Sequence, residues 1–248
     1  MQTSHDSEPL NDPAKSGPFP ASMPGSITSH ESIRENDWDA FRGIDYMENH
    51  WTRSVWSADQ ETYFWYLTFD DQALSQMTER CQRELGVVEL DFVPIDGLHI
   101  TLLKIGNRDQ IAEGDISAIA DCAQKGLGKV EPFELTVGPL AGSHGAIRFS
   151  VSPWSEILAI HETVRAATLS VLPHLKTAET QNLRPHLGIG YSNRRQRAEP
   201  LISKVSQIRD ISPVTVRVDT AKLVRLRRES SAYRWHDVAA LELGSNVE

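Results

Sequence analysis

The sequence predicts an α+β protein of two lobes related by a pseudo-twofold axis, each running strand, helix, histidine strand, helix, strand around a central cleft. Three observations lead there. First, Asp96-Gly97-Leu98-His99-Ile100-Thr101-Leu102-Leu103 is echoed by Arg184-Pro185-His186-Leu187-Gly188-Ile189. Each sets a histidine in an apolar run after a turn signal, the pattern of a buried strand carrying one polar side chain. Second, the order of helical and strand patterns around His99 recurs around His186. Third, 40% hydrophobic and 24% charged residues in a 248-residue chain supply core enough for one domain or two small lobes.

The elements follow in order. Residues 1–35 are rich in Ser, Pro, Gly and Asp and lack an apolar period, so a disordered tail is expected there, with His5 and His30 in it. Residues 36–60 carry Trp38, Phe41, Tyr46, Trp51 and Trp56 and form an aromatic extension, used for packing more than for stacking on a base. Residues 61–248 make the two-lobed domain. Tyr63 to Phe69 is an aromatic strand. Asp70 or Asp71 caps a helix to about Leu85, with Leu74, Met77, Cys81 and Leu85 on one face and Gly86 as its stop. A strand at 87–93, a turn at 94–97 and the His99 strand come next. A helix over 115–125 places Ile116, Ile119, Ala120 and Ala123 on one side. Phe133, Leu135 and Val137 then alternate with polar residues as a half-buried strand. The second round runs through a strand at 146–151, a helix opened by Pro153, the His186 strand, a helix opened by Pro200 and the alternating Val214, Val216 and Val218. Strands near 221–227 and 234–243 close the chain.

Composition narrows the function. A net charge of -9 argues against an electrostatic grip on long nucleic acid but leaves room for a small phosphate or an RNA end. No apolar run reaches membrane-spanning length and no secretory signal is seen, so a cytoplasmic protein is expected, acting as a monomer. Cys81 and Cys122 read as free thiols of a reducing compartment, without metal-type spacing.

Residues two apart on a strand share a face, which puts Thr101 beside His99 and position 188 beside His186. One imidazole can be neutral near pH 7 while the other is charged, so a facing pair suits general acid–base chemistry on a phosphodiester. Thr101 adds a hydroxyl for a phosphate oxygen. Gly188 adds none. Ser192 shares strand parity with His186 and is the candidate to replace the missing hydroxyl. Arg148, opening the second half, is the candidate groove-lining cation. No metal or other cofactor is called for. His50, His144, His161, His174 and His236 have no counterpart in the other half and read as structural.

The element order and the two histidine strands resemble the two-histidine phosphoesterase superfamily, and within it the bacterial 2′,5′-RNA ligase and RNA cyclic phosphodiesterase group. The likeness spans about Tyr63 to Leu243. It implies two histidine-x-threonine/serine motifs on facing strands of a bilobal α+β fold. It also implies metal-free hydrolysis of 2′,3′-cyclic phosphates, or making and breaking of 2′,5′ linkages, on a small cyclic nucleotide or RNA terminus. His99 and Thr101 match the first motif and His186 the second histidine. Gly188 departs from the Ser or Thr expected there. The alternative reading is a non-catalytic RNA-end or nucleotide-binding module on the same fold.

Overall fold

The computed structural model describes residues 17–52, 56–57, 59–86 and 89–245. Its first element, α1 (His30–Arg42), corrects the expected tail over 1–35. Ser29 caps this helix by accepting from the Ser32 amide, and Ile33, Asp37 and Phe41 form its buried stripe. With one of the three buried positions an aspartate, the stripe is too polar to show as a period. Phe41 lies so close to Gly142 that a Cβ there would stand 2.6 Å or less from three of its ring atoms, so only glycine fits. Residues 1–16 lie outside the described residues.

A short β1 (Tyr46–Met47) and a 3-10 turn over His50–Thr52 lead to β2 (Glu61–Thr68). Then come α2 (Gln72–Leu85), capped by Asp71 through the Leu74 amide, β3 (Leu90–Phe92) and β4 (His99–Asn107). The middle of the chain forms α3 (Glu113–Leu127), β5 (Phe133–Ser143), β6 (Ala146–Ser152) and α4 (Trp154–Val171). The rest is β7 (His186–Ser192), β8 (Gln196–Arg197), α5 (Glu199–Ile208), β9 (Val214–Val218), β10 (Thr220–Glu229) and β11 (Ala232–Glu242).

The fold is α+β with two main antiparallel sheets, one histidine strand in each. One sheet is ordered β11-β10-β2-β4, the other β3-β7-β6-β5-β9, and β1 pairs with β8. The repeat in the sequence did not disclose that the sheets exchange strands. β3, from the first half, joins the sheet of His186, and the late hairpin β10–β11 joins the sheet of His99. Helices α3 and α4 pack on each other, and α4 also lies against β4. One apolar core runs through both lobes, from Leu67, Ile100 and Leu103 to Val151, Leu187 and Ile189.

Each histidine strand carries an extra residue after its histidine. In β4 the pairing to β2 passes from Tyr66–Thr101 to Trp65–Leu103, leaving Leu102 unopposed. In β7 the pairing to β6 passes from Arg148–Gly188 to Ile147–Gly190, leaving Ile189 unopposed. A bulge of this kind inverts the alternation of faces downstream. After the bulges, residues that strict alternation would turn away from the histidine come round to its side. Those residues are Lys104 in β4 and Tyr191 in β7.

Candidate active site

Both histidines line one cleft of about 590 Å³ between the sheets. His99 starts β4 directly after a 3-10 turn over Ile95–Gly97, and its Nδ1 lies 2.8 Å from the Gly97 carbonyl. His186 starts β7 with its Nδ1 2.8 Å from the Arg184 carbonyl. A carbonyl only accepts, so each Nδ1 carries the proton and donates it. The acceptor lies two residues upstream in both strands. In each neutral ring the lone pair is therefore on Nε2, which becomes a donor when the ring is charged.

The surroundings of His99 hold it neutral. Tyr66 stacks on the ring at 4.2 Å and 18°, and Trp235 meets it edge-on at 5.3 Å. The side chain is 9% exposed, and burial pulls its pKa down to about 4 although the Gly97 bond favours the charged form. Tyr66 also sits opposite Thr101 across the β2–β4 pairing, and both line the cleft. Burial keeps the Tyr66 phenol protonated. A tie from Arg234 of β11 to both carboxylate oxygens of Asp96, at 3.0 Å each, connects the turn before His99 to the late hairpin.

Two candidate residues sit differently from expectation. Arg148 is 1% exposed, its Nη2 3.1 Å from Asp37 Oδ1 and its Nε donating to the Gly142 carbonyl. Ser150 donates to the other Asp37 oxygen at 2.7 Å. The guanidinium reaches the cleft wall, yet its charge is matched by α1, a helix that the sequence pattern concealed. Ser192 is fully buried and donates to the Arg194 carbonyl, away from the cleft lining. The Ile189 bulge breaks the parity that would have aimed it beside His186, and six residues of strand are roughly 20 Å long in any case. Thr101 and Gly188 do line the cleft.

Other cleft residues carried no sequence signal of their own. Lys104 is exposed to the cleft on the face of His99 and forms no ion pair among the described residues. Gly17, Pro18 and Phe19 make one wall. Arg184 holds that wall, donating from Nε to the Pro20 carbonyl at 3.0 Å and from Nη2 to that of Ala21 at 3.5 Å. The residue whose carbonyl orients His186 therefore also fastens the N-terminal segment with its side chain. Among the described residues no cluster of three or more His, Cys, Asp or Glu is placed to hold a metal ion.

Comparison with known proteins agrees with this fold. Similar folds are found in TT0787 of Thermus thermophilus (TM-score 0.54, 16% identity, covering 74% of this chain and 98% of that one) and in E. coli LigT in its apo form (0.56, 12%, 74% and 98%). E. coli LigT complexed with 3′-AMP is likewise similar (0.54, 13%, 74% and 98%). At such identities the likeness speaks for the fold alone. No curated protein matches the sequence. The model of the 2′-5′ RNA ligase superfamily, however, matches residues 66–230, which include both histidine strands, and the chain belongs to that superfamily.

Proposed function

We propose that the protein is a phosphodiesterase that opens 2′,3′-cyclic phosphates or cleaves 2′,5′-linked ribonucleotides and RNA ends, with His99 and His186 as a general acid–base pair that needs no metal. One observation carries the reading: two imidazoles with the same Nδ1-to-carbonyl clamp, each on its own sheet, in one cleft. Superfamily membership supports it, as do the nucleotides found in E. coli LigT, ATP and 3′-AMP. A 3′-phosphomonoester such as 3′-AMP is the class of product that opening a 2′,3′-cyclic phosphate gives. A cleft of about 590 Å³ suits a nucleotide or a chain end, and the net charge of -9 disfavours a long polyanion.

The burial of His99 supports giving it the base role and His186 the acid role, an assignment that sequence alone left open. His99 is the neutral ring at working pH, so its Nε2 takes a proton from the attacking water. The water oxygen bonds to phosphorus as the bond to one ribose oxygen breaks. His186, in its protonated form, gives its Nε2 proton to that oxygen. The products are a phosphomonoester and a free ribose hydroxyl, with one proton moved from His186 to His99 in net. Thr101, opposite Tyr66 on the cleft wall, donates to a non-bridging phosphate oxygen. Both histidines come from one chain, so the acid–base pair needs no residue from a second copy. The two free thiols favour a cytoplasmic setting. Among the described residues no helix is long and apolar enough to cross a membrane.

The test is hydrolysis of 2′,3′-cyclic nucleotides in excess EDTA. Turnover that His99→Ala removes supports the proposal. A protein that binds nucleotide tightly yet turns none over would leave the binding-module reading instead.

A further inference from the structure

Gly188 leaves the His186 side of the cleft without the hydroxyl that Thr101 supplies beside His99. The space is not empty. A Cβ built on Gly188 would stand 3.9 Å from both Cε1 and Oη of Tyr191. Tyr191 reaches that place because the Ile189 bulge turns residue 191 onto the face of His186 and Gly188. Its ring is fixed on several sides. His50 stacks on it at 4.0 Å and 27°, Trp51 meets it edge-on at 5.2 Å, and Tyr233 does so at 5.7 Å. The side chain is 9% exposed, it lines the cleft, and its hydroxyl makes no hydrogen bond among the described residues. A nearly buried hydroxyl without a partner is costly unless a ligand or water completes it.

We propose that Tyr191 Oη is the phosphate-oxygen donor on the His186 side, standing in through the β7 bulge for the hydroxyl absent at position 188. This rests on the phosphodiesterase reading and deepens it. Burial pushes the Tyr191 phenol well above its ordinary pKa, so it stays a neutral donor throughout the working range. A phenol reaches further than a serine hydroxyl and cannot be deprotonated by a nearby phosphate in the same range. The site is thereby asymmetric, with a short hydroxyl beside the base and a long one beside the acid.

Tyr191→Phe removes the oxygen and keeps the ring stacking. It should lower kcat/KM for a 2′,3′-cyclic mononucleotide by about ten- to a hundredfold, the worth of a hydrogen bond to a charged oxygen, with the melting temperature held. Gly188→Ser is sterically open, because nothing lies nearer than 3.9 Å and the backbone there is not left-handed. In the Tyr191→Phe background it should recover part of the lost rate, and in the wild-type background it should change the rate little. Equal effects of Gly188→Ser in both backgrounds, or an indifferent Tyr191→Phe, overturn the proposal while His99→Ala still tests the phosphodiesterase reading separately. If the wild type hydrolyses nothing, affinity for 3′-AMP decides the matter. Weaker binding by Tyr191→Phe keeps Tyr191 as the phosphate contact, and unchanged binding removes it.

Discussion

Acid should unfold this protein partly through one ring. His99 in the folded state titrates at about 4, against 6.5 for a free histidine, because Tyr66, Trp235 and the closed wall of the cleft strip it of water. A base whose folded pKa is depressed binds protons more readily when unfolded. Its contribution is therefore fully present above pH 6.5 and is lost as the pH falls from 6.5 towards 4. The gap of about 2.5 pH units corresponds to roughly 3 kcal/mol, a sizeable part of a typical domain's 5–15 kcal/mol. Urea unfolding of the wild type and of His99→Gln at pH 7 and pH 4.5 isolates this contribution, since every other titrating group is common to both. The wild type should lose more stability over that interval, by roughly 2 to 3 kcal/mol. The same ring should give kcat/KM an acid limb near pH 4, with NMR titration of His99 agreeing. Parallel pH–stability curves for the two proteins, or a His99 midpoint at 6 or above, would refute the argument that burial sets this group.

Three further outcomes are expected. His99→Ala and His186→Ala should each remove most of the activity, and the double variant should be scarcely slower than either, because a base without its acid has nothing to complete; a product of the two losses in steady-state rates would contradict this. Asp37→Ala should cost about 3–5 kcal/mol in chemical denaturation by leaving Arg148 charged, buried and unpaired, whereas Asp37→Leu with Arg148→Met should cost much less. Arg184→Met should raise KM for a mononucleotide by about tenfold with kcat nearly kept, since it releases the Phe19 wall while the main-chain carbonyl still orients His186. A fall in kcat alone would show that the side chain acts on the histidine instead.

The sequence disclosed the residues whose position follows from local pattern. His99, Thr101, His186 and Gly188 each lie where a turn followed by alternating strand residues puts them, and the helices α2 to α5 announce themselves by apolar faces and caps. It did not disclose what depends on register across strands. The bulges at Leu102 and Ile189 exchange Ser192 for Tyr191 and bring Lys104 inward, and no single-strand parity can foresee an extra residue. Arg148 reads as a free cation in the sequence because its partner, Asp37, lies on a helix whose apolar stripe holds only Ile33 and Phe41 as hydrophobic members. Tyr66 reads as one aromatic among several. Its role comes from sitting opposite Thr101 and over the ring of His99, a fact of pairing and not of composition.

The exchange of strands between sheets sets the order in which the site matures during synthesis. Both histidines have been synthesised once residue 186 is made, but Tyr233 and Trp235 arrive only later, with β11. Until then β2 lacks its β10 neighbour, and the aromatic edge that dries His99 is missing. A nascent or truncated chain stopping before Trp235 would keep Tyr66 on His99 but lack the indole edge, leaving a more basic imidazole than the complete sheet holds. These pairings join residues near 62–66 to residues near 222–226, and such distant closures are slow in a folding chain. The proposed division of labour between base and acid is then a late acquisition, sealed by the β10–β11 hairpin and absent from either half of the chain alone.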